Sequence, residues 1–417
     1  MRHRYLLATG AVLAAGTLTL TACGSRNNGN GGGGGSSSSG NTVTIGVDAP
    51  LSGQNSATGL GIQYGVKIAV DQANADHTVP GVTFKLEAKD DQAQPATGQQ
   101  NATALVADNS VVGTVGPLNS SVAQSMQQVF AAANMVEISP SNTNPALTLG
   151  ANWQQGASAY KRTYNTYFRT ATTDILQGAY AAQYAYQTGH RKVFVVDDQQ
   201  TYGKGLATIF GQDFKKRGGT VVGTDHVTAN PPQTDFSSLV SKIKASGADM
   251  LYYGGQYDQS ELITKQMKNA GVKIPLFGGD GMFSDTYIKV AGTTAEGDLA
   301  TSVGQPLDTV PTAKDFIATY KSKNYPGDYG TYGGYSYDAA NAIINSVKSV
   351  VAANNGKLPS MTDLRSKVVQ GVQAANFDGI SGHVSFDKYG DTTNKQLTVY
   401  QVKNGKWVAV KTGNYTG

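Results

Sequence analysis

The chain has 417 residues with 33 Lys and Arg against 29 Asp and Glu, a formal net charge of +4 at pH 7. Setting aside Arg2 and Arg4 of a basic leader takes 33 to 31, a net of +2, and the other basic residues are scattered, Lys215-Lys216-Arg217 being the longest run. No basic stripe is interleaved with aromatics, which excludes a nucleic-acid partner on charge grounds, and the length suits two lobes better than one core.

Residues 6–20 form an apolar run too short to span a bilayer, as in a signal-peptide core. Leu20-Thr21-Ala22-Cys23 closes the run and resembles the bacterial lipobox, in which the cysteine becomes the lipidated first residue. Cys23 is the only cysteine, so no disulfide forms within the chain. Residues 24–41 are rich in Gly, Ser and Asn and read as a tether reaching roughly 20–25 Å by random-coil scaling. Beyond the leader there is no apolar stretch of membrane-spanning length.

From residue 42 the pattern alternates strand and helix. Residues 42–47 read as a strand, 48–53 as a turn, and 61–74 as a helix with Ile62, Val66, Ile68, Ala69 and Ala73 inward. A strand at 82–88, a helix at 95–108 and a strand at 111–115 follow. The unit repeats after Arg169: helices at 173–188, 203–217, 236–246 and 260–270 separate strands at 191–196, 220–226, 249–253 and 275–277. The chain then returns through a strand at 296–303 and helices at 312–323 and 335–352. It closes on a hairpin turning at Asn404-Gly405. Strands joined by helices of this length imply right-handed crossovers and parallel sheets covered on both faces. The expected fold is α/β, with two doubly wound Rossmann-like lobes.

The stretch 111–145 carries the strongest functional signal. One strand ends in Gly116-Pro117-Leu118-Asn119-Ser120-Ser121, a helix with Val122, Met126, Val129 and Phe130 inward follows, and a strand at 135–138 ends in Ser139-Pro140-Ser141-Asn142-Thr143. Ligands of open α/β sheets settle beyond the carboxyl ends of strands, and helix starts offer free N–H groups to an anion. Helix capping and turn formation are the plain alternative for these hydroxyls. Asp197 and Asp198 read as capping or interlobe hydrogen-bonding groups.

Catalysis lacks its parts. The five histidines are dispersed, and neither a G-x-S-x-G elbow nor an H-E-x-x-H pair occurs. Gly59-Leu60-Gly61 lacks the third glycine of a dinucleotide fingerprint, and dispersed histidines leave no metal site. No enzyme activity, cofactor or metal is expected.

Eight segments in this order resemble the branched-chain amino acid binding proteins of ABC importers, of the type I periplasmic binding fold: Ile45–Gly53, Gly116–Ser121, Ile138–Pro145, Tyr202–Ala207, Asp235–Lys244, Tyr252–Gly255, Gly278–Gly281 and Gly382–Asp391. The resemblance implies three crossovers, near Arg169, Thr301 and Gly382, with lobe I at 42–168 plus 302–381 and lobe II at 169–301 plus 382–417. It implies a solute in the interlobe cleft, closure on binding, and delivery by a monomeric, lipid-anchored protein on the outer face of the cell membrane to an ABC permease. A lipid-anchored sensor, or a binder of amide- or urea-type solutes, is the alternative. By the same resemblance Ser120 holds the solute carboxylate, Ser141 offers its carbonyl to the ammonium group, and Thr143 touches both ends. Tyr202 is the aromatic of the opposing lobe and Asp280 the acid that pairs with the ammonium. Three positions depart from the family: Gln256 stands where a tyrosine is frequent, Asp280 where glutamate is, and Thr58 where an aromatic precedes the first helix. One of the tyrosines between Tyr325 and Tyr337, with Tyr335 and Tyr337 the candidates, lines the cleft.

Overall fold

The computed structural model describes residues 41–415; the leader, Cys23 and residues 24–40 of the tether lie outside them. Lobe I opens with β1 (Asn41–Ala49), α1 (Ser56–Ala75), β2 (Val82–Asp90), α2 (Pro95–Ala107), β3 (Val111–Val115), α3 (Ser120–Ala132), β4 (Val136–Ser139), α4 (Ala146–Leu149) and β5 (Tyr167–Arg169). The five strands are parallel in the order β2-β1-β3-β4-β5. Helices cover both faces of the sheet, so β1 and β3 are buried along nearly their whole length, the threonines included. Val43, Ile45, Val47, Val111, Val112 and Val115 are all buried.

Lobe II follows with α5 (Asp174–Gln187), β6 (Lys192–Asp197), α6 (Thr201–Lys216), β7 (Thr220–His226), α7 (Ser237–Ser246), β8 (Met250–Gly254), α8 (Tyr257–Asn269), β9 (Leu276–Gly278), α9 (Asp285–Ala291) and β10 (Leu299–Val303). The chain then crosses back: α10 (Lys314–Ser322), α11 (Gly333–Ala353) and α12 (Met361–Gln373) pack on lobe I, α11 along α1 and α12 against β3 and β4. A ribbon of β11 (Asn376–Asp378) and β12 (His383–Ser385) precedes the hairpin of β13 (Gln396–Lys403) and β14 (Lys406–Asn414). The second sheet runs β14-β13-β10-β9-β8-β6-β7. Read from β7, its first five strands trace the same path as lobe I, and the antiparallel hairpin is appended to β10. The hairpin turns on Asn404 and Gly405, both at positive φ (53° and 68°), as a two-residue turn matched to strand twist requires.

Helix α1 starts five residues before the expected position. The glycines that look like breakers are sites of close approach: a Cβ on Gly59 would sit 1.9 Å from the Pro50 carbonyl oxygen, and one on Gly61 2.8 Å from that of Tyr329. Thr58 therefore belongs to the first turn of α1 instead of preceding the helix. The strand expected from 296 begins only at Leu299, after a turn at Gly297 (φ 85°). The segments α4, α9, α12, β5, β11 and β12 have no counterpart in the sequence reading. Asp197 and Asp198 do act locally, accepting from the amides of Gln199 and Gln200.

Behind the ends of β1 and β2, Asp48 and Asp91 are both fully buried. Asp48 Oδ1 accepts from Asn101 at 2.8 Å, and Asp91 Oδ1 accepts from the Ala93 amide at 2.7 Å. Burial, then the Asp91 charge, raises Asp48 well above the usual carboxylate range; burial raises Asp91 to about 6. A folded-state value above the unfolded one gives stability that is full at low pH and lost as pH rises through the folded value. The melting temperature is therefore expected to fall from about pH 4 to about pH 7. Asp91→Asn keeps the Oδ1 acceptor and should be more stable than the parent at pH 8, by on the order of 1–3 kcal/mol. Calorimetric melts across this range check both; a variant whose pH profile overlays the parent's would exonerate the acid pair.

Candidate ligand-binding site

Between the lobes lies a cleft of ≈ 600 Å³, part of it open to solvent, lined by Asn55, Gln94, Ser120, Tyr202, Asn230 and Gln256 among others. The lobes touch across it. Asn230 Nδ2 donates to Gln94 Oε1 (2.6 Å), Asn144 Nδ2 to the Thr201 carbonyl (2.7 Å), and the Asn55 amide to Asp258 Oδ2 (3.1 Å).

Ser120 is the first residue of α3, not its cap; Asn119 precedes it in extended conformation and makes no side-chain cap bond. The Ser120 hydroxyl is buried without a partner. Its position at a helix start among free amides suits an anion. Thr143, in the loop after β4, is fully buried and its hydroxyl also lacks a partner. Ser141 turns its hydroxyl away from the cleft, toward the carbonyls of Pro117 and Leu118 (3.3 and 3.1 Å). Gln256 caps α8 in sequence but makes no cap bond, which leaves its amide at the cleft wall.

On the opposing side, Tyr202 begins α6 where two glycines bring helix and strand together. A Cβ on Gly203 would meet the Gly254 carbonyl oxygen at 2.3 Å, and one on Gly254 the Gly203 oxygen at 2.1 Å. Tyr202 lines the cleft and donates its hydroxyl to Asp280 Oδ1 at 2.7 Å. Asp280 itself sits one layer deeper, buried, just past β9. Gln177 Nε2 donates to its Oδ1 (3.0 Å), and Tyr332 of lobe I donates to its Oδ2 (2.6 Å). Gln177 Oε1 in turn accepts from the Asp280 amide and from Thr301, both at 2.8 Å. Burial raises the Asp280 carboxyl, while the donors from Tyr332, Tyr202 and Gln177 pull it back down.

A buried cation organises the floor. Arg169, the last residue of β5, pairs its Nε with Asp391 Oδ1 at 2.6 Å. Its Nη1 donates to the carbonyls of Asn142 and Asn144 (3.2 and 2.8 Å), its Nη2 to Thr148. The loop that presents Thr143 is thus tied to the crossover segment carrying Asp391.

Ser120, Tyr202 and Gln256 meet in one cleft, with Asp280 reached through Tyr202; Ser141 and Thr143 lie in the buried loop beside it. The tyrosine of the 325–337 group that reaches the site is Tyr332. Tyr335 points instead toward Gly304, and Tyr337 donates to Gln72 on the outer side. Gln177, Asp174 and Tyr332 were not singled out by sequence reasoning. Gln177 and Asp174 fall within or beside an expected helix whose period says nothing about its first turn, and Tyr332 is one of a dense tyrosine group.

Two α/β lobes of one strand order facing each other across a cleft are the architecture of solute-binding proteins that close on a hinge. The chain belongs to the periplasmic binding protein family, whose model matches residues 42–406. It is 29% identical over 371 residues to Leu/Ile/Val-binding protein homolog 3 of Brucella melitensis, covering 88% of this chain and 94% of that one. Among solved structures it resembles the branched-chain amino acid transporter substrate binding protein LivJ of Streptococcus pneumoniae in complex with isoleucine, with TM-score 0.78 and 24% identity over 90% of this chain and 100% of that one. A solute-binding protein of an R. palustris ABC transporter in complex with benzoate matches with TM-score 0.76 and 18% identity, over 89% and 96% of the two chains.

Tyr332→Phe removes the lobe I donor from Asp280. A hydrogen bond to a charged group contributes about 1.5–3 kcal/mol, so the variant is expected to shift toward an open form. Small-angle scattering of the parent and the variant checks this, and superimposable profiles with unchanged solute affinity would remove Tyr332 from the closing contacts.

Proposed function

We propose that the chain is an extracytoplasmic solute-binding protein that captures an amino acid or similar small zwitterion between its lobes and delivers it to an ABC permease, with no covalent chemistry. The observation that carries this reading is a set of buried oxygens without partners at the lobe junction: the hydroxyls of Ser120 and Thr143 and both carboxylate oxygens of Asp174. Protein interiors leave few such groups unpaired, so the site calls for an occupant with donors and acceptors of its own. The Ser120 and Thr143 hydroxyls suit a solute carboxylate, and the acids beyond them suit an ammonium group. Ser141, Tyr202, Gln256 and Asp280 complete the proposed contacts. Lipidation at Cys23 would hold the protein, as a monomer, on the outer face of the cell membrane.

The relatives named for leucine, isoleucine and valine favour an α-amino acid. The cleft of this chain favours a polar one, because Asn55, Gln94, Asn230 and Gln256 line it with side-chain amides. A pocket that hydrogen-bonds a polar group rejects an apolar isostere strongly, whereas a purely apolar pocket discriminates weakly. An amide-type solute is the second reading that the same side chains support. A thermal-shift screen of common amino acids, short amides and small carboxylates should give a rise of about 3 °C or more with the true solute at 100-fold excess over Kd. Polar amino acids or amides should outrank leucine. Stabilisation by benzoate-like acids alone would refute the zwitterion reading.

A further inference from the structure

Two carboxylates lie buried at the lobe junction, and they differ in how they are met. Asp280 accepts three hydrogen bonds from neutral donors, Tyr202, Gln177 and Tyr332, and so is supported as an anion by the protein alone. Asp174, the first residue of α5, is fully buried, and neither of its oxygens makes a hydrogen bond of good geometry, the Thr143 hydroxyl being the nearest donor. Its own amide donates to the Thr143 carbonyl at 2.8 Å, which places it against the loop proposed to hold the solute. The groups facing it are Thr143 from the β4–α4 loop, Arg169 from β5, Tyr202 from α6, Tyr252 from β8, Asp280 after β9 and Tyr332 before α11. The one cation among them, Arg169, is engaged by Asp391 and by the Asn142 and Asn144 carbonyls. The hydroxyls of Thr143 and Tyr252 are themselves buried and unpartnered.

We propose that Asp174 is the carboxylate that meets the cationic group of the solute, and that it releases a proton to solvent as it does so. The inference rests on the solute-binding reading above and assigns its acid. A buried carboxylate without a cation paired to it is disfavoured as an anion, so Asp174 is held as the neutral acid before the solute arrives; burial first, then the Asp280 charge, acts in that direction and outweighs the Thr143 hydroxyl and the Arg169 charge, which act against it. When an ammonium group enters, the Asp174 O–H bond breaks heterolytically. The electron pair stays on the oxygen that accepts the solute N–H, and the proton passes to buffer. Asp280 then acts chiefly on geometry, joining Tyr332 of lobe I to Tyr202 and Gln177 of lobe II. Binding should tighten as pH rises, because the proton that must leave is already gone at higher pH.

Titration calorimetry of the described protein with each of the common L-amino acids, L-glutamine and L-leucine first, tests this in two buffers of different ionisation enthalpy, from about pH 5 to about pH 8. The expected result is net proton release by the parent, diminishing as pH rises. Asp174→Asn should lose that release and bind on the order of 30-fold or more weaker. Asp280→Asn should keep the release while binding more weakly. Melting curves of both variants report whether they fold, and the parent's proton release stands independently of either. Binding by the parent without proton release, or proton release that survives Asp174→Asn, overturns the assignment of Asp174 and leaves the solute-binding reading intact. Failure of every amino acid to bind the parent overturns both.

Discussion

The site depends on how a negative charge is kept in a dry place. Asp280 is buried just past a strand end, and among the described residues no cation pairs with its carboxylate. Three neutral donors hold it, and they come from both halves of the molecule. This arrangement makes one side chain the meeting point of the lobes: when Tyr332 reaches Asp280, the two sheets are locked at a fixed separation. A charge supported by dipoles drawn from separate bodies favours the state in which those bodies are together. The contact between the lobes at this point is therefore made by polar groups, with an apolar core on either side.

The two lobes repeat one strand order, and the repetition explains where the polar groups collect. In each sheet the strand ends that face the junction are those after which the chain turns into a helix. Hydroxyls of lobe I and the acids of lobe II thus confront one another because equivalent edges are opposed. The appended β13–β14 hairpin extends only the second sheet, outside this symmetry.

Much of this was legible in the sequence. The alternation of β-branched runs with helical periods placed nearly every strand, because two-sided burial leaves an unambiguous apolar signature at β1, β3, β6 and β8. The start of α1 was not legible, since glycines that favour close packing are indistinguishable from glycines that end helices. The site was half legible. Ser120, Tyr202 and Asp280 follow strand ends within a few residues, where a chain turning into a helix advertises them. Asp174, Gln177 and Tyr332 act by converging from distant points of the chain, and convergence has no signature in linear order. This chain's departure from the family at Gln256 was visible as a residue change, but only the amide-lined cleft gave it a chemical meaning.

Arg169 carries a consequence for the energetics of capture. Its guanidinium grips carbonyls of the very loop that bears Thr143 and fastens that loop to Asp391, on the segment between β12 and β13. Gripped in this way, the loop has few other shapes open to it. On the proposed reading, the groups that would meet a guest are spaced before it arrives, and association would cost the ordering of the guest far more than the ordering of the host.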